Sequence, residues 1–192
     1  MIYQIAKDKK RGKKRKNSPK FNLQQILYDT AGVDCTQIPG LGELSIQTII
    51  SEVGLDMSKW STEKQFASWL GLSPANKITG GKVFDTRTKK VKNKASTAFR
   101  MAALSLGRGK SALAGFYRRI KSKAGTPKAI TATARKLACM FYRLLKYGQN
   151  YIEQGIVAYE KKYKDTLVIN LQKQATRLGF KVVKIEPLSE VC

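Results

Sequence analysis

The 192 residues suffice for one well-buried core with basic extensions at its ends. Lys and Arg number 37 against 13 Asp and Glu, a formal charge of +24 that opposes compaction and draws polyanions, with nucleic acid favoured over a membrane surface. No run nears the roughly 18 continuous apolar residues of a spanning helix, and no apolar stretch follows the N-terminal charges. No membrane partner is expected, and the chain reads as cytoplasmic. It has no histidine, and Cys35, Cys139 and Cys192 form no CxxC pair. Zinc fingers, histidine bases and most transition-metal sites are thereby excluded, and no metal ligand is assigned.

Residues 1–20 place nine cations, Lys7 to Lys20, against the single Asp8. The segment repels itself and has little to bury, so it reads either as a flexible basic arm for phosphate contacts or as a solvated tail. Phe21, Leu23, Ile26, Leu27 and Thr30 predict a short helix stopped near Gly32. The turn Ile38-Pro39-Gly40-Leu41-Gly42 then feeds an apolar-faced stretch from Leu44 to Val53. This resembles a helix-hairpin-helix element, in which Gly40 and Gly42 leave backbone amides open to a phosphate; an ordinary loop between core helices is the competing reading. Ser61 or Thr62 caps a further helix with Phe66, Trp69 and Leu70 on its buried face, ended by Gly71, and Trp60 and Trp69 are expected in the core.

Residues 71–94 are turn-rich, polar and basic. Asn76, Thr79, Gly80, Gly81 and Lys82 can bring a hydroxyl, backbone amides and a cation to a phosphate, although the full pattern of an ATP-binding phosphate loop is not met. Arg87, Lys89, Lys90, Lys92, Asn93 and Lys94 follow, with Asp85 the one nearby acid. A plain basic surface loop is the alternative. Helices are predicted over 95–107 and 111–120, the second with Ala112, Ala114 and Gly115 allowing close helix contact. From Lys82 to Lys123 there are 13 basic residues and one acidic one, so Arg100, Arg108, Arg118 and Arg119 join the candidate nucleic-acid-binding set.

Thr126-Pro127 reads as a cap followed by proline at the first helical position, opening a long helix that buries Ile130, Ala134, Leu137, Ala138, Phe141, Leu144 and Leu145 and stops at Gly148. Cys139 within it reads as a small core residue. Tyr151 to Tyr163 is aromatic and mixed in charge, 164–178 predicts another helix, and 180–185 reads as a short terminal strand or a coil end. The expected fold is mainly α. It comprises a flexible basic arm over 1–20, a compact helical domain over 21–185 with the helix-hairpin-helix-like element, and a tail over 186–192.

Several separated motifs occur in one order. They are GVDxTQIPGLG from Gly32, EKQFASWLGLSPxNK from Glu63, TGGKV from Thr79, TRTKxxxNKAxTAFRMAA from Thr86, SALxxFYRR from Ser111 and GTPKAITATARKLAxxxYxLLKYG from Gly125. This succession, with YExxY and LGFKVV beyond it, resembles the C-terminal transposase domain of the insertion-sequence one-hundred-and-ten family from about Ser18 to Ile185. The resemblance implies DNA transposition by oligomers guided by a structured bridge RNA. It further implies an N-terminal RuvC-like domain whose carboxylates hold a divalent metal, and a serine in the C-terminal domain that attacks DNA.

Two departures follow. The sequence enters near the linker that precedes the second domain, so Mg²⁺ is expected only with a RuvC-like partner and no cofactor is assigned to this chain. Thr79 stands where the family has serine. Its hydroxyl is the candidate catalytic group, but the extra methyl crowds an in-line approach. Three readings result: a truncated, DNA-binding transposase portion without cleavage activity of its own; the catalytic half of a split enzyme using Thr79; and a regulator that binds bridge RNA or element ends. Expected partners are DNA, bridge RNA, and further copies of the chain or a full-length transposase.

Overall fold

The computed structural model describes residues 19–183 apart from 75, 76 and 86, so residues 1–18 of the expected arm over 1–20, and the tail over 186–192, lie outside the described residues. The fold is mainly helical. Helix α1 (Leu23–Ala31) begins where the Asn22 side chain accepts the Gln25 N–H and ends at Gly32, whose φ of 69° closes the last turn. A 3₁₀ turn at Cys35–Gln37 follows, organised by Asp34, which accepts the Thr36 N–H and hydroxyl, while Gln24 of α1 donates to the Thr36 hydroxyl at 3.0 Å. Ile38 and Leu41 turn inward, and the chain enters α2 (Glu43–Val53), which buries Ile46, Ile49 and Val53 at helical spacing.

Thr62 caps α3 (Glu63–Trp69) by accepting the Gln65 N–H, and the Gln65 side chain returns the contact by accepting the Ser61 N–H at 2.9 Å. After a two-stranded hairpin, α4 (Lys94–Leu106), α5 (Ala112–Ala124), α6 (Thr126–Tyr147) and α7 (Gln149–Arg177) complete the described chain. Helix α6 is the hub. It packs against α3, α4, α5 and α7, while α2 packs on the other side of α4. Small residues make this possible: Ala134 and Ala138 of α6 and Ala102 and Ala103 of α4 are buried, letting Phe99 meet Phe141 edge to face at 5.8 Å. A polar seam ties α3 to α6. Tyr142 donates to the Trp60 carbonyl at 2.7 Å, and Arg143 forms a two-pronged pair with Glu63.

Several expectations change, and Cys139, read as a small core residue, is only half-buried. Gly125, not Thr126, occupies the cap position of α6, placing Thr126 in the first turn with Pro127 beside it, where the missing amide still costs little. Trp69 lies at the edge of the aromatic group of Trp60, Phe66 and Tyr142 and is 42% exposed rather than core. The last helix begins at Gln149 rather than near 164. Residues 180–183 form no strand; Phe180 and Val183 are exposed, and residues beyond 183 lie outside the described ones.

Thr133 is fully buried on α6, and its hydroxyl has no hydrogen-bond partner among the described residues. A buried hydroxyl without a partner costs about 1–3 kcal/mol. Thr133→Val keeps the shape and removes that group, so its urea midpoint should be unchanged or raised, by up to about 1 kcal/mol in stability. A clear loss of stability would show that the hydroxyl is satisfied in solution.

Candidate nucleic-acid interface

The glycine pair sits at the tip of an antiparallel hairpin formed by β1 (Lys77–Thr79) and β2 (Lys82–Asp85). Gly80 and Gly81 both take positive φ, 57° and 75°, the conformation of a two-residue hairpin turn whose twist matches its strands. Thr79 and Lys82 are directly paired across the ladder, so their side chains rise on one face of it, and both are exposed. A bridge between Pro74 and Thr88 closes the root of the hairpin. Beyond it Arg87, Lys89, Lys90, Lys92 and Lys94 are all exposed.

This basic segment, irregular apart from the bridge at Thr88, is pinned from below. Gly71 has a φ of 65°, and a side chain there would meet the Lys89 carbonyl and Val91 at 2.8 Å. Arg100 locks the same turn, donating to the Gly71 carbonyl at 3.1 Å and to the Thr131 hydroxyl of α6 at 3.0 Å. Asn93 ends the segment as a buried cap, accepting the Ser96 N–H at 3.1 Å. The other sequence-derived candidates scatter. Arg118 donates to the Gly107 and Gly109 carbonyls, Arg119 lies over the Phe116 ring, and Arg108 is exposed in the α4–α5 loop. Gly40 faces inward against α4, Gly42 is the cap of α2, and Asn76 lies outside the described residues.

The base of the hairpin is also one wall of a cavity of about 1080 Å³ that runs along α6. That wall carries Leu72, Pro74, Arg87, Thr88 and Lys90. Helix α6 supplies the floor from Lys128 to Arg143, and Leu113, Phe116, Tyr159 and Glu160 form the far side. Sequence reasoning missed Lys128, Arg135 and Lys136. Their signal was the stripe 128, 131/132, 135/136, 139/140, hidden because the opposite face of the same helix carries the stronger apolar pattern.

Residues 35–118 match the family described as "Transposase IS116/IS110/IS902 family". The match takes in the glycine turn, the hairpin, the basic segment and much of α5, but not α6 or α7. No curated protein matches the chain, and no solved structure matches it. Among the described residues no helix is long and apolar enough to cross a membrane.

The family resemblance raises the question of a divalent metal. Among the described residues no group of three or more His, Cys, Asp or Glu side chains comes together, so the described donors do not form such a centre. The described thiols are equally unsuited to nucleophilic work. Burial, reinforced by Asp34, pushes the Cys35 thiol up to about 12, and burial followed by the Glu63 charge raises that of Cys139.

Proposed function

We propose that this chain is a DNA-binding module of a transposition system, gripping the phosphate backbone with the hairpin and the segment that follows it. On this reading the 192 residues alone do not cut DNA. The observation that carries the proposal is the placement of Lys82, Arg87, Lys89, Lys90, Lys92 and Lys94 on one exposed, internally pinned run that begins at a glycine turn. Backbone amides at such a turn and mobile ammonium groups beside it are matched to phosphate, which positions a strand without reading its sequence.

Replacing Lys89, Lys90, Lys92 and Lys94 together by alanine tests it. Affinity for blunt duplexes of unrelated sequence should fall uniformly, and the salt dependence should flatten by about 0.9 in log–log slope for every phosphate that is no longer neutralised. Unchanged affinity and slope would remove the segment from the interface.

A second reading draws on one observation, the exposed Thr79 hydroxyl paired across the hairpin with Lys82. There Thr79 is the nucleophile of a split enzyme completed by a RuvC-like partner. A hydroxyl needs a base or metal for activation, and Lys82 can only stabilise charge on the phosphate. A covalent protein–DNA adduct formed by the chain alone in Mg²⁺ and abolished in Thr79→Ala would overturn the non-cleaving reading. Tight retention of structured RNA in the absence of DNA would favour the regulatory one.

A further inference from the structure

The lining of the cavity along α6 is of two kinds. The floor offers apolar surface from Ala132 and Met140, continued by Leu72, Leu113 and Phe116 on the walls. Lys90, Lys128, Arg135 and Lys136 add cationic groups to this apolar surface. From Lys128 to Arg143 the stripe spans about 22 Å at 1.5 Å per residue.

The two acids in the lining are already engaged within the protein. Glu63 is held by Arg143, and Glu160 of α7 accepts the Ala112 N–H at the start of α5 at 2.8 Å. What the groove presents to an occupant is therefore net positive. Lys136 is also fixed in place. Its ammonium lies 3.9 Å from the centre of the Phe116 ring and 4.6 Å from that of Tyr159, and donates to the Tyr159 hydroxyl at 3.1 Å. A cation held between two rings loses little freedom on meeting an anion.

An occupant must satisfy both surfaces. Duplex DNA keeps its base faces stacked inside and offers phosphate and sugar, leaving the apolar floor uncovered. An unpaired strand offers apolar base faces and a phosphate for each one. An acidic amphipathic peptide has similar chemistry, but the groove shares a wall with the hairpin: the Pro74–Thr88 bridge is at once the hairpin's root and part of the lining. That shared wall would lead a strand gripped at the hairpin into the groove.

We propose that this groove holds an unpaired stretch of DNA, with bases against the apolar floor and phosphates on Lys90, Lys128, Arg135 and Lys136. The proposal rests on the DNA-binding reading above. It places a single-strand site behind a backbone-gripping hairpin, the arrangement needed by a protein that engages DNA where the duplex has opened.

The test uses the full chain and four fluorescent probes in one low-salt buffer: a 12-nucleotide thymidine strand, an abasic strand of the same length and charge, a 12-nucleotide uridine strand and a blunt duplex. The thymidine strand should bind about tenfold or more tightly than the abasic strand, because stacking contributes where charge is equal. Ala132→Trp, which fills the floor, should abolish that preference and leave duplex binding unchanged. In the native chain the thymidine strand should slow iodoacetamide alkylation of Cys139, which lines the groove, when the reaction is run at alkaline pH to ionise its raised thiol and each cysteine peptide is followed by mass spectrometry.

Equal affinity for the thymidine and abasic strands would overturn the proposal, as would unslowed alkylation of Cys139 in a saturated complex. Tighter binding of the uridine strand would overturn the assignment to DNA. Protection of Cys139 by a synthetic acidic amphipathic peptide but not by the thymidine strand would give the groove to a protein partner. The duplex separates the two claims. Duplex retained without base preference sinks the groove alone, whereas no retention of duplex or strand sinks the DNA-binding reading beneath it.

Discussion

Gly40→Ala is expected to destabilise the fold by about 2–6 kcal/mol, a combination of backbone strain of about 1–3 kcal/mol and overpacking of similar size. Gly40 has a φ of 86°, and a side chain on it would lie 2.7 Å from Leu106 and 3.1 Å from the Ala102 carbonyl, both on α4. The carbonyl belongs to a helix packed between α2 and α6, which limits its retreat. The urea midpoint should drop at constant m-value, and folded protein should retain its affinity for duplex DNA. Gly42→Ala is the control: its φ of −96° is ordinary and nothing lies within 4 Å of the added carbon, so stability should barely move. If Gly40→Ala instead weakened DNA binding at unchanged stability, the turn would touch phosphate after all.

The same residue shows what the amino-acid pattern conveys and what it cannot. A two-glycine turn before an apolar helix is plain in the sequence, and α2 begins beside it, at Glu43. Whether Gly40 is needed for a ligand or for a neighbouring helix depends on α4, some 60 residues away in the chain, and periodicity is silent on such contacts. Gly115, by its small size, points to a site of close helix approach. A side chain there would collide with the Tyr163 ring of α7, in agreement.

Helix α6 is legible because Ala134, Leu137, Ala138, Phe141 and Leu144 recur on one face over many turns. Helix α7 is only half legible. Leu167, Val168, Ile169 and Leu171 surround its axis and are about half exposed, so no single apolar stripe announces the helix. The hairpin escapes for a different reason. Its strands are three and four residues long, too short for alternation to register, and Thr-Gly-Gly-Lys suggests phosphate chemistry when the glycine pair is also a hairpin-turn signal. Thr79 and Lys82 are exposed, while Asn93 and Arg100 have structural partners that charge counting cannot reveal.

Raising salt from 50 to 200 mM should weaken duplex binding by about a thousandfold, the loss expected when roughly six phosphates are neutralised and each contributes about −0.9 to the slope. On the proposed reading this number is set mainly by Lys82, Lys89, Lys90, Lys92 and Lys94, with Arg87 among them, all exposed on the hairpin and the segment that follows it. Arg100 and Arg118 belong to a different class, because their guanidinium groups donate to carbonyl and hydroxyl oxygens of the protein itself. Arg100→Ala should therefore lower the urea midpoint, by releasing the Gly71 turn from α6, while the salt slope of folded protein stays near that of the native chain. Fluorescence anisotropy over a salt series, run on both proteins, separates the two effects. A nearly salt-independent affinity would mean that the six exposed cations do not meet phosphate. A slope that fell in Arg100→Ala at unchanged stability would mean that its guanidinium leaves Gly71 and Thr131 to do so.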